Sequence, residues 1–433
     1  MGTKFALVYV ATIWTLAQGQ TLRGWRRNLT GLGALFALVY QVRFYGKLVL
    51  QHVRQIGEWD FMCFWTWGRM GATGLDFYNP AAGLVFAQGR SDEFIRETLN
   101  TGFWYPPQTM LMLTPLGHFS PHVALIGWYA VQFSFLIATA ILLWRMFAQR
   151  SGALGFLAVI LLVLALHGAQ ETIEYAQSTF IALFLTLLVW KDKLLWRAGI
   201  WASLGLIVKP YMAIWLLFLV LLRNWKALVA AAGGFLVICL TTGWLFGFSR
   251  FAQYLLRNPS SRIPPSVYSE MVNQSLLAVL LRMTHHTAEP GTLWVRLAFL
   301  GLAFLIALVG LLMALKVRRS SSDLSASILL LGTLLVYPGT LSHYSVMLAA
   351  PILVIWSMRR QFVGGVWGCS LLTAFVLVVG ATQDGQYTFW LHLVFFCTLL
   401  HHATRVLRFP APEHEPLTLS SITTRINGGT SGA

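Results

Sequence analysis

Long apolar runs separated by short basic clusters make up most of the chain, and the runs break at polar or proline-bearing positions. Backbone embedded in lipid must satisfy its own hydrogen bonds, so runs of this length predict helices. The basic clusters are Arg23/Arg26/Arg27, Arg145/Arg150, Lys191/Lys193/Arg197, Arg223/Lys226, Lys316/Arg318/Arg319, Arg359/Arg360 and Arg405/Arg408. If each lies in the cytoplasm, as Lys and Arg flanking spans usually do, the stretch between two clusters must be crossed an even number of times. The turning points are visible at Gly168–Gln177, at Val208-Lys209-Pro210-Tyr211, at Pro338–Tyr344 and at Thr382–Gln386. Two intervals, 51–120 and 249–292, are too long for hairpins and read as extracytoplasmic loops, the first carrying juxtamembrane helices.

The pattern therefore predicts an all-α integral membrane protein, a multi-span helical bundle of about twelve transmembrane helices. The predicted spans are 29–50, 122–144, 151–169, 177–190, 197–208, 210–223, 227–248, 293–315, 324–338, 344–358, 361–381 and 387–404. The pair flanking Lys209 is short for a hydrocarbon core of ~30 Å and reads equally as a half-buried hairpin. Residues 106–119 could enter the bilayer without crossing it. Residues 5–18 resemble a signal sequence, but the arginines that follow would resist export, leaving an interfacial helix or a short extra span. Residues 1–408 form one polytopic domain in this reading. The tail 409–433, polar and rich in Ser, Thr and Gly, is expected to be cytoplasmic and disordered.

Composition agrees. Of 433 residues, 57% are hydrophobic and 11% charged, against roughly 25% charge in a soluble domain. A net charge of +16 would suggest nucleic-acid binding in a soluble protein. Here most of it sits in the predicted cytoplasmic clusters, while most acidic residues fall elsewhere, so it reads as an orientation signal and no nucleic-acid partner is expected. Cys63, Cys239, Cys369 and Cys397 have neither CxxC nor zinc-ligand spacing, and three lie in apolar runs, which argues against a disulfide framework or a cysteine metal site.

Ionisable groups near membrane depth are costly, and each becomes a candidate for function. Asp60 follows the first confident span among Trp59, Phe61, Phe64, Trp65 and Trp67. Desolvation there would suit a general base, although Asp is also a favoured helix cap. Glu58 pairs with it in an acid-x-acid spacing that could hold a divalent metal or stay solvated. Lys209, beside a helix-breaking proline at the head of an apolar hairpin, calls for an anion such as lipid phosphate, unless it snorkels to bulk headgroups. His343 could meet a phosphate or be a hydrogen-bonded core histidine. Tyr105-Pro106-Pro107 is a rigid lead-in to an apolar segment or simply a helix start. Arg250, Arg257 and Arg262 could meet phosphate or bulk lipid. Lys209, His343 and the Glu171/Glu174 pair all fall at turning points on the side of the loop bearing Glu58 and Asp60. That convergence suits an enzyme at the outer boundary better than a relay through the bilayer. No Walker motif, phosphate loop or serine elbow occurs.

These segments, taken in order, resemble the polytopic GT-C glycosyltransferases, and among them glycosyltransferase family 87, the polyprenyl-phosphate-mannose-dependent mannosyltransferases. The matching pieces are Asp60-Phe61 with Gly74–Pro80, Tyr105-Pro106-Pro107 leading to Leu113–Leu116, Tyr175–Thr179, Gly205–Tyr211, Asn273–Leu276 and Leu341–Tyr344. The family usually has Gly-Gln and then Asn where this chain has Ala176-Gln177 and Ser178-Thr179. It also often has Trp two residues before the His-Tyr pair, where Leu341 stands here. The resemblance implies a GT-C type fold and inverting transfer of a hexose, most often mannose, from a polyprenyl-phosphate sugar donor to a lipid or glycan acceptor. It implies Asp60 as base, with Lys209 and His343 on the phosphate or donor sugar. Tyr344, Asn273, Gln274, Gln177, Tyr105 and Arg262 complete the expected donor side, with no metal ligand and no cofactor. A polyprenyl phosphate leaves as a stable anion, so unlike glycoside hydrolysis no second carboxylate is needed as acid. Competing expectations are a transporter or lipid flippase without covalent chemistry, and a non-catalytic membrane assembly subunit.

Overall fold

The structure is a computed structural model that describes residues 3–18, 24–56, 60–86, 103–257, 268, 271, 273–284, 292–382 and 387–408. Arg23, Glu58, Arg262, residues 383–386 of the last predicted turning point and the tail 409–433 lie outside the described residues. The chain folds into helices α1 (Thr3–Gln18), α2 (Trp25–Arg54), α3 (Asp60–Ala72), α4 (Met110–Gly117), α5 (Pro121–Leu143) and α6 (Gly152–Ala165). Next come α7 (His167–Glu174), α8 (Thr179–Lys191), α9 (Arg197–Val208), α10 (Ile214–Leu221), α11 (Trp225–Phe246) and α12 (Ser249–Arg257). The last are α13 (Leu276–Met283), α14 (Leu293–Val317), α15 (Ser322–Val336), α16 (Ala349–Ser357), α17 (Gly365–Gly380) and α18 (Thr388–Arg408). Each predicted span overlaps helix, but the span 151–169 ends early at Leu166, where the backbone is extended, and most of the predicted turning point Gly168–Gln177 is the short helix α7.

Among the described residues, four helical stretches are long and apolar enough to cross a membrane: Trp25–Arg54, Pro121–Ala165, Trp225–Phe246 and Leu293–Val317. Their outward faces are apolar as well. On α14, Leu297, Leu300, Phe304, Leu305 and Leu312 are exposed, as are Val229, Leu236, Val237, Leu240 and Trp244 on α11. In water such surfaces would be an aggregation hazard, whereas in lipid they are the expected exterior. The inner helices invert the pattern. In α8, Phe180, Ala182, Leu183, Leu187, Val189 and Trp190 are all buried. Helices α9 and α10 are 12 and 8 residues long, and the turn joining them is extended at Lys209 and 3-10 helical over Pro210–Ala213.

α1 packs on α2, α6 and α17, with Val8, Thr12 and Thr15 inward and Leu7, Val10 and Trp14 outward. An interfacial helix would turn a polar face to water, and the outward face of α1 is apolar.

Helices α3 and α4 pack backbone against backbone. A Cβ on Gly117 would lie 2.3 Å from the Gly68 carbonyl, and one on Gly68 would lie 2.3 Å from the Leu113 oxygen. Glycine is required on both sides, and Arg69 adds a hydrogen bond from Nη1 to the Gly117 carbonyl at 2.8 Å.

Candidate active site

The prediction that Lys209 stands at a break in an apolar hairpin holds, and the local cause is Pro210. A residue before proline is pushed out of the helical region, and Lys209 adopts φ −151°, ψ 131° at the end of α9. The turn carries its side chain inward, leaving Lys209 only 2% exposed. Its Nζ donates to Gln177 Oε1 at 3.0 Å. The ammonium also lies over two aromatic faces, 5.1 Å from the Tyr344 ring centroid and 5.8 Å from that of Tyr105, within cation–π range.

Gln177 continues the chain of contacts by donating from Nε2 to Asp60 Oδ2. Asp60 is the first residue of α3, where the helix dipole favours a negative charge. Carboxylate, amide and ammonium are thus joined in series. Among the described residues Lys209 makes no direct ion pair. Burial pushes the Asp60 carboxyl above the ordinary carboxylate range, against the opposing pulls of the Gln177 hydrogen bond and the Lys209 charge. Burial likewise lowers Lys209 to about 8, with the Asp60 charge resisting the fall.

Gln177 owes its position to a helix-ending turn. α7 stops with Ala176 at φ +51°, Ala176 N bonds to the Ile173 carbonyl at 3.2 Å, and Gln177 N reaches back to Thr172 O at 2.8 Å. This is a Schellman arrangement whose left-handed residue is usually glycine. Trp128 Nε1 donates to the Ala176 carbonyl at 2.6 Å and holds the turn from α5. The alanine noted as a departure in the sequence therefore sits at a position whose backbone favours glycine.

Tyr105 reaches the site on the proline lead-in, its carbonyl accepting from the Tyr78 hydroxyl at 2.8 Å. Thr109 Oγ1 donates to Ile207 O at 2.9 Å, tying this segment to α9 just before Lys209. Trp67, from α3, meets Phe103, Trp104 and Tyr105 edge-on and forms the aromatic wall behind them.

His343 and Tyr344 lie in a 3-10 helix, Ser342–Leu348, packed on α7. The His343 ring stands perpendicular to Tyr344 with centroids 4.5 Å apart, and among the described residues its buried Nε2 has no hydrogen-bond partner. Tyr211, which follows the Lys209-Pro210 pair, packs on Tyr344 at 4.9 Å.

The expected pair Glu171/Glu174 divides. Glu171 is 4% exposed and accepts from Ser342 Oγ at 2.7 Å, sharing the same oxygen with His167 at 3.1 Å. It anchors the start of the 3-10 helix. Nothing local in the sequence announces this contact, because its partners are 171 residues apart.

Asn273 and Gln274 stand beside the same helix, in a bridge of Asn273 with Leu341. Their side chains are committed to backbone. Asn273 Nδ2 donates to Pro338 O at 3.1 Å, while Gln274 Oε1 accepts from Phe389 N at 2.9 Å and Nε2 donates to Met271 O. They brace the loop before His343. Arg262, outside the described residues, cannot be placed in the site. Among the described residues no three of His, Cys, Asp and Glu group as a metal site.

A family model described as glycosyltransferase family 87 matches residues 103–338, spanning Tyr105, Gln177, Lys209, Asn273 and Gln274. No curated protein matches, and no solved structure does.

Proposed function

The chain belongs to glycosyltransferase family 87, and from that membership we propose that it is an inverting transferase moving a hexose, mannose by preference, from a polyprenyl-phosphate donor to a lipid or glycan acceptor. The observation that carries this reading is the series Asp60–Gln177–Lys209. It offers a base and a cation held apart by a neutral amide, framed by aromatic rings. Asp60 takes the proton of the acceptor hydroxyl as the acceptor oxygen bonds to the anomeric carbon. The bond from that carbon to the phosphate oxygen breaks on the opposite face, inverting the centre. The polyprenyl phosphate departs with the electron pair, and Lys209 stabilises its charge. A desolvated site strengthens both effects by removing competing water.

In this reading the twelve apolar segments are spans, the basic clusters and the carboxy terminus face the cytoplasm, and the site faces outward. α1, with its apolar outer face, sits at bilayer depth and adds a further short crossing. His343 and Tyr344 complete the donor side, and Asn273 and Gln274 act through the loop they brace.

The test is incorporation of label from a radiolabelled polyprenyl-phosphate mannose by the full chain in membranes. Label should appear in product with the wild type and be lost with Asp60→Asn. Undiminished transfer by that variant would remove the central claim, and movement of unaltered donor across sealed vesicles would replace it with a flippase.

A further inference from the structure

A concavity lies far from this site, on the outer side of α1 and α2. It has a volume of about 950 Å³ and is lined by Trp14, Trp25, Arg26, Leu29, Gly33 and Phe36 among others, with Tyr40 and Leu7 toward its far end. That volume is at the upper end of ligand pockets, ~300–1,000 Å³.

Its construction is specific. Trp14 Nε1 donates to Thr30 Oγ1 at 3.2 Å and sets the spacing of the two helices. Small residues Ala11, Gly33, Ala34 and Ala37 form the floor. Thr15 returns its hydroxyl to Ala11 O at 2.6 Å, so the floor offers no free donor there. From Trp25 to Tyr40 the groove follows about 22 Å of helix, enough for one leaflet of hydrocarbon, ~15 Å, plus its headgroup zone. The apolar length ends at Arg26, whose guanidinium lies 5.6 Å from the Trp25 ring centroid. Trp and Arg together are typical of the headgroup boundary, and among the described residues no acidic side chain lines the groove.

We propose that this groove is a binding site for one anionic diacyl phospholipid, its chains lying between α1 and α2 and its phosphate on Arg26. A donor whose phosphate is held at Lys209 cannot place that phosphate on Arg26. The opposite end of α2 approaches the candidate active site, with His52 Nδ1 2.9 Å from the Tyr129 hydroxyl, which donates to Ile173 O near Gln177. Arg26 is therefore about 40 Å along the helix from that end, too far for a phosphate held at Lys209. A zwitterionic lipid would gain less from Arg26, since a basic residue near the surface favours anionic headgroups about fivefold.

The experiment is native mass spectrometry of the delipidated full chain in detergent with phosphatidylglycerol, phosphatidylcholine or polyprenyl phosphate. The wild type should retain one phosphatidylglycerol about fivefold more tightly than phosphatidylcholine, and polyprenyl phosphate should not displace it. A Cβ on Gly33 meets nothing within 4 Å, so Gly33→Trp enters the groove with no clash at its Cβ and should cut retention of both phospholipids at least tenfold. Gly33→Leu should give a smaller loss and serves if the larger side chain prevents folding. Arg26→Gln should keep binding but equalise the two phospholipids. Wild-type retention by Gly33→Trp and Gly33→Leu, equal phospholipid retention by the wild type, or displacement by polyprenyl phosphate would overturn the proposal. Because lipid is counted directly, none of these outcomes depends on transfer activity.

Discussion

The hairpin of α8 and α9 carries charged residues at both ends, handled in opposite ways. At the end away from Lys209 every carboxylate meets a cation directly. Lys193 Nζ lies 2.6 Å from Asp323, and Arg197 Nε lies 2.7 Å from Asp192. Trp190 and Trp201 add indole donors to the same two carboxylates, and Asn224 closes the turn through Lys193 O at 2.9 Å. At the other end Lys209 and Asp60 are separated by an amide. A satisfied ion pair has little use for a third charge. A buried cation held only by an amide and aromatic faces remains strongly attracted to an arriving anion. The far end thus reads as structural closure, and the near end, under the proposed function, as a place kept for phosphate.

Four outcomes would sharpen or break this contrast. Asp60→Asn should lower transfer by about 10²–10⁴, whereas Asp323→Asn should leave the rate per folded molecule unchanged. A similar loss from both would erase the distinction. Next, Lys209→Ala should raise the KM for donor by roughly 10- to 100-fold, the worth of a charged hydrogen bond. Lys209→Arg should recover part of that loss, and Lys193→Ala should not change KM at all.

Third, transfer should depend on pH in a way tied to the near end alone. The base must be ionised and the cation protonated, so activity rises through the elevated pKa of Asp60 and falls as Lys209 deprotonates near pH 8. Arginine stays charged in this range, so pH–rate profiles of Lys209→Arg should lose the alkaline fall. A retained fall would move its cause away from Lys209. The smallest effects concern stability. Asp323→Asn should cost no more than ~1 kcal/mol, since its partly exposed pair is screened by solvent. Ala176→Gly should gain ~1 kcal/mol by relieving the left-handed alanine, read as a higher Tm with Gln177 contacts and transfer intact.

The helices were legible because lipid leaves the backbone few alternatives, and Pro210 marked the Lys209 break by a purely local rule. Asp60, Lys209, Gln177, Tyr105 and Tyr344 could be singled out from residue type and resemblance, and the fold brings them together. What escaped was long-range. Gln177 was expected as lining and instead bridges the two charges. Glu171 was expected with Glu174 at an open turn, yet its contact with Ser342 depends on how α7 meets a segment 171 residues later. Asn273 and Gln274 have side chains suited to binding a sugar, and only their backbone partners reveal them as braces. For α1, hydrophobicity allowed two placements, and the contacts with α6 and α17 and the apolar outer face came only with the fold.

Backbones that touch through paired glycines travel together. Since Gly68 and Gly117 leave no space for slippage, Asp60 on α3 and the Pro106-Pro107 segment leading into α4 behave as a single jaw. In the proposed reading a lipid-linked sugar meets that jaw as a preset surface, and the Thr109 hydrogen bond to Ile207 O ties it to α9 just before Lys209, so the two charges keep one register. Substituting either glycine would loosen that fixed reference and shift Asp60 against Lys209.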